Sequence, residues 1–207
     1  MPYHYKKTHN MDAAQKYILK NWLNAVISTL FTPLFPSVAL AQALVETRAG
    51  NSSLTKQYNN HFGIKSFGWR GKSINLSTRE VFNGKDTQIN SNFRVYRTGL
   101  QSYRDRVKFL NKYPNYKRAG VFVATTPEQQ ISALKLAGYA TGTYYVDALT
   151  QRLNKYNLKR FDTVKRVFEI AIIIGLLFGM YNAYRYRTQI KTKIVTTYNE
   201  LKNKMQG

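Results

Sequence analysis

The chain has 207 residues, 32 basic against 10 acidic side chains, and a formal net charge of +22, enough for one domain with a proper core plus an appendage. The absence of cysteine excludes disulfides and thiolate metal sites, and three histidines (His4, His9, His61) without ligand-like spacing argue against zinc, so no metal or other cofactor is expected. The charge favours polyanions such as nucleic acid, anionic lipid or anionic wall polymers, and with no recognised binding motif beside it, nucleic acid is disfavoured.

Residues 1–11 are polar, aromatic and basic and read as a flexible arm. From residue 12 to 31 apolar side chains recur at helical spacing: Ala14, Ile18, Leu19, Trp22, Leu23, Val26, Ile27, Leu30 and Phe31. Thr32-Pro33 breaks the pattern. Lys6, Lys7 and the small residues near Ala39-Leu40-Ala41 mimic a secretory leader, but Asn24, Pro33 and Pro36 interrupt the apolar run, and its stripe is amphipathic. The next helix starts at Pro36. Ser37 is placed to cap it, Val38, Leu40, Ala41, Leu44 and Val45 make it apolar, and it ends on Glu46, with Gly50 as a stop. A lone carboxylate at the end of an apolar helix is set up to hold its proton, as a general acid near neutral pH must.

Beyond it comes Tyr58-Asn59-Asn60-His61-Phe62-Gly63-Ile64-Lys65, then a loop with Phe67 and Trp69. Two alternating segments, Ser73 to Phe82 and Thr87 to Tyr96, flank Asn83-Gly84, a strong hairpin signal. Helical periodicity returns with Leu100, Tyr103, Val107 and Leu110, leaving Arg104, Arg106 and Lys108 largely on other faces. Thr126-Pro127-Glu128-Gln129 is a helix start, followed by Ile131, Leu134 and Leu136 and a stop at Gly138. Tyr139 to Thr143 forms a loop, and a helix with Tyr145, Val146, Leu149 and Leu153 closes the domain near Asp162. The pattern is α+β, mostly α, with an inserted β-hairpin.

Residues 34–162 resemble the glucosaminidase domain of bacterial peptidoglycan hydrolases, glycoside hydrolase family 73, which includes the flagellar rod hydrolase and wall autolysins. Four stretches carry the likeness: Ala41 to Glu46 with Gly50 and Ser52-Ser53, Tyr58 to Lys65, Phe93-Arg94-Val95-Tyr96, and Ala137 to Thr141 with Tyr145. The resemblance implies a lysozyme-like fold and hydrolysis of the β-1,4 bond on the reducing side of N-acetylglucosamine. It places the general acid on Glu46, the second catalytic carboxylate on Glu80 and a cleft tyrosine on Tyr139. Tyr145, Phe62, Trp69 and Asn60 join Tyr139 as expected substrate-binding residues. Two stretches depart from the family: Thr47-Arg48-Ala49 after the glutamate, and Gly142-Thr143 after Tyr-Ala-Thr.

The remaining acids of residues 1–163 leave the same pair. Asp12 and Glu128 sit in first helical turns, where a carboxylate favours the dipole. Asp86 flanks the hairpin turn, Asp105 has Arg104, Arg106 and Lys108 around it, Asp147 reads as a solvated charge, and Asp162 lies at the domain's exit. Plainer roles exist for some site residues. Glu80 fits a cross-strand pair with Arg94 or Arg97, Trp69 and Phe67 fit packing at the hairpin base, and Asn59 and Asn60 fit loop fixing. Two carboxylates are compatible with inverting, retaining and substrate-assisted routes alike.

The domain is thus read as residues 12–163, followed by a transmembrane helix over 164–187 and a basic amphipathic tail over 188–207. The 18 residues from Val167 to Tyr184 would span roughly 27 Å, against a hydrocarbon core of ~30 Å. Lys165, Arg166, Arg185 and Arg187 suit its ends, and Tyr181, Tyr184 and Tyr186 one interface. In the tail, Ile190, Ile194, Val195, Tyr198, Leu201 and Met205 share a side ringed by lysines, a pattern that fits anionic lipid or a protein partner. A wall hydrolase with this anchor and no convincing export signal points to a single-pass protein of a bacteriophage virion membrane or particle, with other virion or envelope proteins as partners. The bacterial cell envelope is the alternative location. The competing functions are a lytic transglycosylase on the same fold, using Glu46 alone, and a non-catalytic structural or wall-binding particle protein.

Overall fold

The computed structural model describes residues 10–82, 85–140 and 142–206, with the side chains of 79–82, 85–86 and 200–206 excepted. The arm up to residue 9, the Asn83-Gly84 turn, Thr141 and Gly207 lie outside the described residues. The chain divides into two compact units, Met1–Lys165 and Arg166–Gly207.

In the first unit α1 (Ala13–Thr29) packs against α2 (Pro36–Glu46) and α4 (Gly99–Lys112), and α2 also meets α6 (Pro127–Leu136) and α7 (Tyr145–Lys155). Two short helices complete the set, α3 (Ser53–Tyr58) and α5 (Pro114–Arg118). Strands β1 (Ser73–Phe82) and β2 (Lys85–Arg94) form one antiparallel hairpin, running from Ser73 opposite Arg94 to Phe82 opposite Lys85. This is the mostly helical, lysozyme-like architecture expected from the hydrophobic periodicity and the resemblance. The second strand starts two residues earlier than its alternation suggests, because Asp86 and Lys85 pair with Val81 and Phe82.

Helix α1 begins with a capping box. Asp12 accepts from the Gln15 backbone N–H at 2.7 Å, and the Gln15 side chain accepts from the Asp12 N–H at 2.8 Å. Its inner face holds Tyr17, Ile18, Ala25 and Val26, while Leu19 and Leu23, counted in the sequence stripe, are exposed. Helix α2 is buried at every position from Pro36 to Leu44. Each fully buried aliphatic side chain there contributes about 1.5–3 kcal/mol. Ser37 does not cap α2: Phe35 is the N-cap and Pro36 the first helical residue. Buried Asp162 instead takes the Ser37 N–H at 3.0 Å and its hydroxyl at 2.7 Å. Lys165 donates to the carbonyls of Thr32 and Leu34, and Gln130 bonds Phe35, Pro33 and Val121. The polar groups of this buried corner are thus met by side chains distant in sequence.

Two expectations for α4 are corrected. Arg106 is fully buried. Asp105 pairs not with its helical neighbours but with Arg94 at the end of β2, at 2.7 Å, and accepts the Tyr96 hydroxyl at the same distance. Arg94 also donates to the Lys65 carbonyl, so one buried ion pair ties the hairpin base to α4.

Helix α8 runs unbroken from Arg160 to Gln206, so the apolar segment and the basic tail are one helix. Within its Arg160–Asn199 stretch it is long and apolar enough to cross a membrane, and the apolar window is not buried. Ile170, Leu177, Phe178, Met180 and Tyr184 are among its exposed side chains.

The ion pairs predict a contrast in stability. Asp105→Ala strands a buried guanidinium and is expected to lower the unfolding free energy by about 3–5 kcal/mol. Glu128→Ala, which removes a partner of the exposed Lys159–Glu128 pair, should lower it by at most about 1 kcal/mol. Denaturant midpoints of the two variants check this.

Candidate active site

The last residue of α2 sets the site. With Val45 half-buried behind it, Glu46 emerges into a cleft of about 260 Å³ lined by Phe62, Gly63, Ile64, Lys65, Phe67, Phe109, Tyr113, Tyr116 and Tyr139. The chain then turns sharply. The Thr47 hydroxyl donates to the Ala43 carbonyl and accepts from the Gly50 N–H. Arg48 and Ala49 take left-handed conformations, with φ of 50° and 57°, unusual for residues with side chains. A β-carbon on Gly50, at φ +82°, would stand 2.6 Å from the Tyr17 ring, so glycine is required there. The departure from the family at residues 47–49 is therefore a tight turn directly behind the carboxylate.

One wall of the cleft is the Asn60–Ile64 loop, and Asn60 shapes it. Its side-chain amide donates to the carbonyls of Ile64 and Arg94, and its oxygen accepts from the N–H groups of Phe62 and Ile64. Gly63, at φ +61°, lies close enough that a β-carbon there would be 3.9 Å from the Glu46 Oε2. The opposite wall is aromatic. Phe109 sits edge-on to Tyr139 at 6.5 Å, Tyr116 lies 6.2 Å from Tyr139, and Tyr145 stacks on it at 6.1 Å and 25°. The Tyr139 hydroxyl donates to the Phe62 carbonyl at 3.3 Å and closes the ring of walls.

These walls decide the charge of Glu46. The residue keeps access to solvent through the cleft mouth, yet protein crowds its carboxyl, and that desolvation pushes its pKa up to about 7. A carboxyl that is neutral in mildly acidic solution and half ionised near pH 7 is poised for proton donation. Across the 59–63 loop His61 has the opposite shift. Burial, reinforced by the Lys20 charge, lowers its pKa to about 4, so it is neutral, and its Nδ1 shares a 2.5 Å hydrogen bond with the Tyr17 hydroxyl. It belongs to the packing of α1 rather than to the cleft.

The sequence-derived residues are distributed as follows. Glu46, Phe62 and Tyr139 meet in the cleft. Tyr145 lies directly behind Tyr139, and Asn60 shapes the wall while itself almost wholly buried. Trp69 does not line this cleft. It packs edge-on to Tyr96 and under the Arg94 guanidinium, beside a separate groove with Arg97, Gln101 and Arg104. Glu80 is on β1 opposite Thr87, and its side chain lies outside the described residues. Among the described residues no cluster of His, Cys, Asp and Glu suits a metal ion.

Sequence reasoning passed over Gln42, Arg106, Phe109, Tyr113 and Tyr116. A signal was present for most of them. Arg106 falls three residues after Tyr103 and four before Leu110, on the buried face of α4, and Phe109, Tyr113 and Tyr116 follow each other at helical spacing.

Comparison with known proteins agrees with this geometry. The family described as mannosyl-glycoprotein endo-beta-N-acetylglucosaminidase (Glucosaminidase) matches residues 31–158. The exo-glucosaminidase LytG of Bacillus subtilis is 32% identical over 162 residues, 77% of this chain and 57% of its own length. The peptidoglycan hydrolase FlgJ of Escherichia coli is 35% identical over 121 residues, 56% of this chain and 38% of its own. The chain thus spans little more than half the length of the first of these relatives and little more than a third of the second. The catalytic domain of the autolysin Auto from Listeria monocytogenes superposes with a TM-score of 0.66 at 32% identity, covering 76% of this chain and 92% of that domain.

The raised pKa of Glu46 carries a stability consequence. The folded state holds this proton up to about pH 7, whereas an unfolded glutamate releases it near 4.5, so the folded state loses stability as pH rises between these values. Glu46→Gln is expected to melt higher than the parent at pH 8, with the difference vanishing near pH 4. Calorimetric scans of both proteins at the two pH values test this.

Proposed function

Because the chain belongs to the glucosaminidase family of peptidoglycan hydrolases, we propose that it is an endo-β-N-acetylglucosaminidase that cuts the β-1,4 bond after N-acetylglucosamine in wall glycan strands. The observation that carries this is Glu46, a carboxyl held neutral by desolvation at the end of a buried helix, in an aromatic-walled cleft. In this reading Glu46 protonates the leaving glycosidic oxygen. Glu80, on the hairpin strand, serves the anomeric carbon as base, nucleophile or electrostatic stabiliser. Tyr139, partly exposed in the cleft, offers a face on which a sugar ring stacks, while the buried Phe62 backs the wall. The name of one group of relatives, probable N-acetylmuramidase, supports a second reading in which the same cleft cuts on the muramic acid side, and the name exo-glucosaminidase supports removal of terminal sugars in place of internal cuts.

The reading extends to location. The helix that closes the domain continues into an apolar segment fit to span a membrane, followed by a lysine-rich stretch suited to anionic headgroups. We infer a single-pass, membrane-anchored enzyme whose reach is confined to wall close to its membrane. That confinement suits a bacteriophage particle that brings a membrane against a wall at infection, with the bacterial envelope as the other setting. Its partners are then glycan strands, lipid and neighbouring virion or envelope proteins.

Digestion of purified peptidoglycan by the full chain, with new ends read by mass spectrometry, tests the chemistry. Reducing N-acetylglucosamine ends on internal fragments are expected. Release of terminal sugars alone would mean exo action. Reducing muramic ends would favour the second reading, anhydro-muramoyl ends a transglycosylase, and no release a wall-binding role. Glu46→Gln should lower the rate at least about 10²-fold, and the parent's activity should fall as pH rises through about 7. The anchor is tested by flotation of the full chain with vesicles containing anionic lipid. Recovery in the unbound fraction would reject it, and proteomics of purified particles against host envelopes distinguishes the two settings.

A further inference from the structure

Behind the Tyr139 wall lies a buried cation with no carboxylate partner among the described residues. Arg106 is fully buried on α4. Its Nε donates to the Gln42 Oε1 at 2.7 Å, and its Nη2 donates to the same oxygen. The guanidinium sits 5.5 Å over the Phe62 ring, and its Nη1 has no hydrogen-bond partner. Burying a charge without a counter-charge is costly, so the arrangement calls for a reason.

Donor and acceptor chemistry supplies one. A guanidinium only donates, so the part of the Gln42 amide facing it must be the carbonyl oxygen, and the NH2 is directed to the other side. There the Gln42 Nε2 donates to the Tyr145 hydroxyl oxygen at 2.6 Å. A hydroxyl oxygen engaged as an acceptor keeps its own proton free to point elsewhere. Tyr145 stacks on Tyr139, and the Glu46 charge acts on both tyrosines. If the cation were absent, the amide could rotate, offer its oxygen to Tyr145 and draw the proton inward.

We propose that Arg106 is a positioning residue that fixes the direction of the Arg106–Gln42–Tyr145 hydrogen-bond chain, so that the Tyr145 hydroxyl proton is turned away from Gln42, toward the stacked Tyr139 and the Glu46 side of the cleft. The inference rests on the reading of the cleft as a glycosidase site. It assigns Gln42 and Arg106 a part in the reaction that neither plays by touching substrate.

The informative substitution is Gln42→Glu. A carboxylate still accepts from Arg106, and it supplies the missing counter-charge, but it cannot donate to Tyr145 and attracts that hydroxyl proton instead. The expected result is a melting temperature equal to or above the parent's, together with a three- to tenfold fall in kcat on soluble glycan fragments and KM within about twofold. Tyr145→Phe, which keeps the stacked ring, should lose a similar factor, and the double variant should lose no more than either alone. Parental kcat in Gln42→Glu, a melting temperature that falls with activity, or losses that multiply in the double variant would each overturn the proposal. Glu46→Gln assayed alongside separates the two ideas: if that variant keeps full activity the glycosidase reading itself fails, whereas loss there with parental Gln42→Glu sinks only the relay.

Discussion

The constraint on which the fold depends is the complete burial of α2. A helix with one apolar stripe can lie on a surface, but a helix buried from Pro36 to Leu44 must be surrounded. That demand draws α1, α6 and α7 around it, and α4 reaches it through the Arg106–Gln42 contact. It also leaves a single exit for the chain, at the C-terminal end, where Glu46 emerges. The cleft is therefore the place where the packing around α2 stops short of closing, and its walls are the ends and loops of the elements that bury the helix.

Burial of this kind makes every polar side chain on α2 a structural obligation. Two carry it. Ser37 hands its N–H and hydroxyl to Asp162, which binds the start of the helix to the last turn of the domain. Gln42 is held between Arg106 and Tyr145, linking α2 to α4 and α7 behind the aromatic wall of the cleft. The hairpin is fastened by a separate device, the Arg94–Asp105 pair with the Tyr96 hydroxyl. The position of the hairpin base relative to α4 is thus fixed by charge, whereas the helices are fixed by apolar contact.

What the sequence made legible follows from this division. Elements fixed by hydrophobic periodicity or turn chemistry could be read: α1, α2, the Asn-Gly hairpin and the Thr126 start of α6, where Thr126 accepts from the Gln129 N–H. The acid on α2 was legible because a charged residue after an apolar run is conspicuous. Contacts made by polar groups across long sequence separations were not. Ser37 looked like a cap by local rules, but a partner 125 residues away claims it. Arg106 was placed off the apolar face of α4 and Asp105 among its basic helical neighbours, although their partners lie on α2 and β2. Trp69 was open to two places, substrate binding or packing at the hairpin base, and residue type alone does not choose between them; the ring lies against Tyr96 and Arg94. The boundary between the apolar segment and the tail was drawn from composition, and α8 runs across it because neither stretch contains a proline.

The charge of the chain and the charge of its site are set by opposite means. A net charge of +22 produces a field that attracts anionic polymers, and such a field by itself would favour the ionised form of any carboxylate. Glu46 nevertheless holds its proton to about pH 7, with desolvation as the acting cause. The two effects coexist because they differ in range. Exposed lysines act through solvent that screens them beyond about 8–10 Å at physiological ionic strength, while the aromatic walls act at contact distance by displacing water. The buried Arg106 is set close behind the cleft's aromatic wall, and its guanidinium is spent on Gln42 and the Phe62 ring rather than on the acid. A basic protein can thus carry a large positive charge over its surface and, even with Lys65 among the residues that line the cleft, keep the Glu46 carboxyl protonated, because desolvation outweighs the surrounding charge.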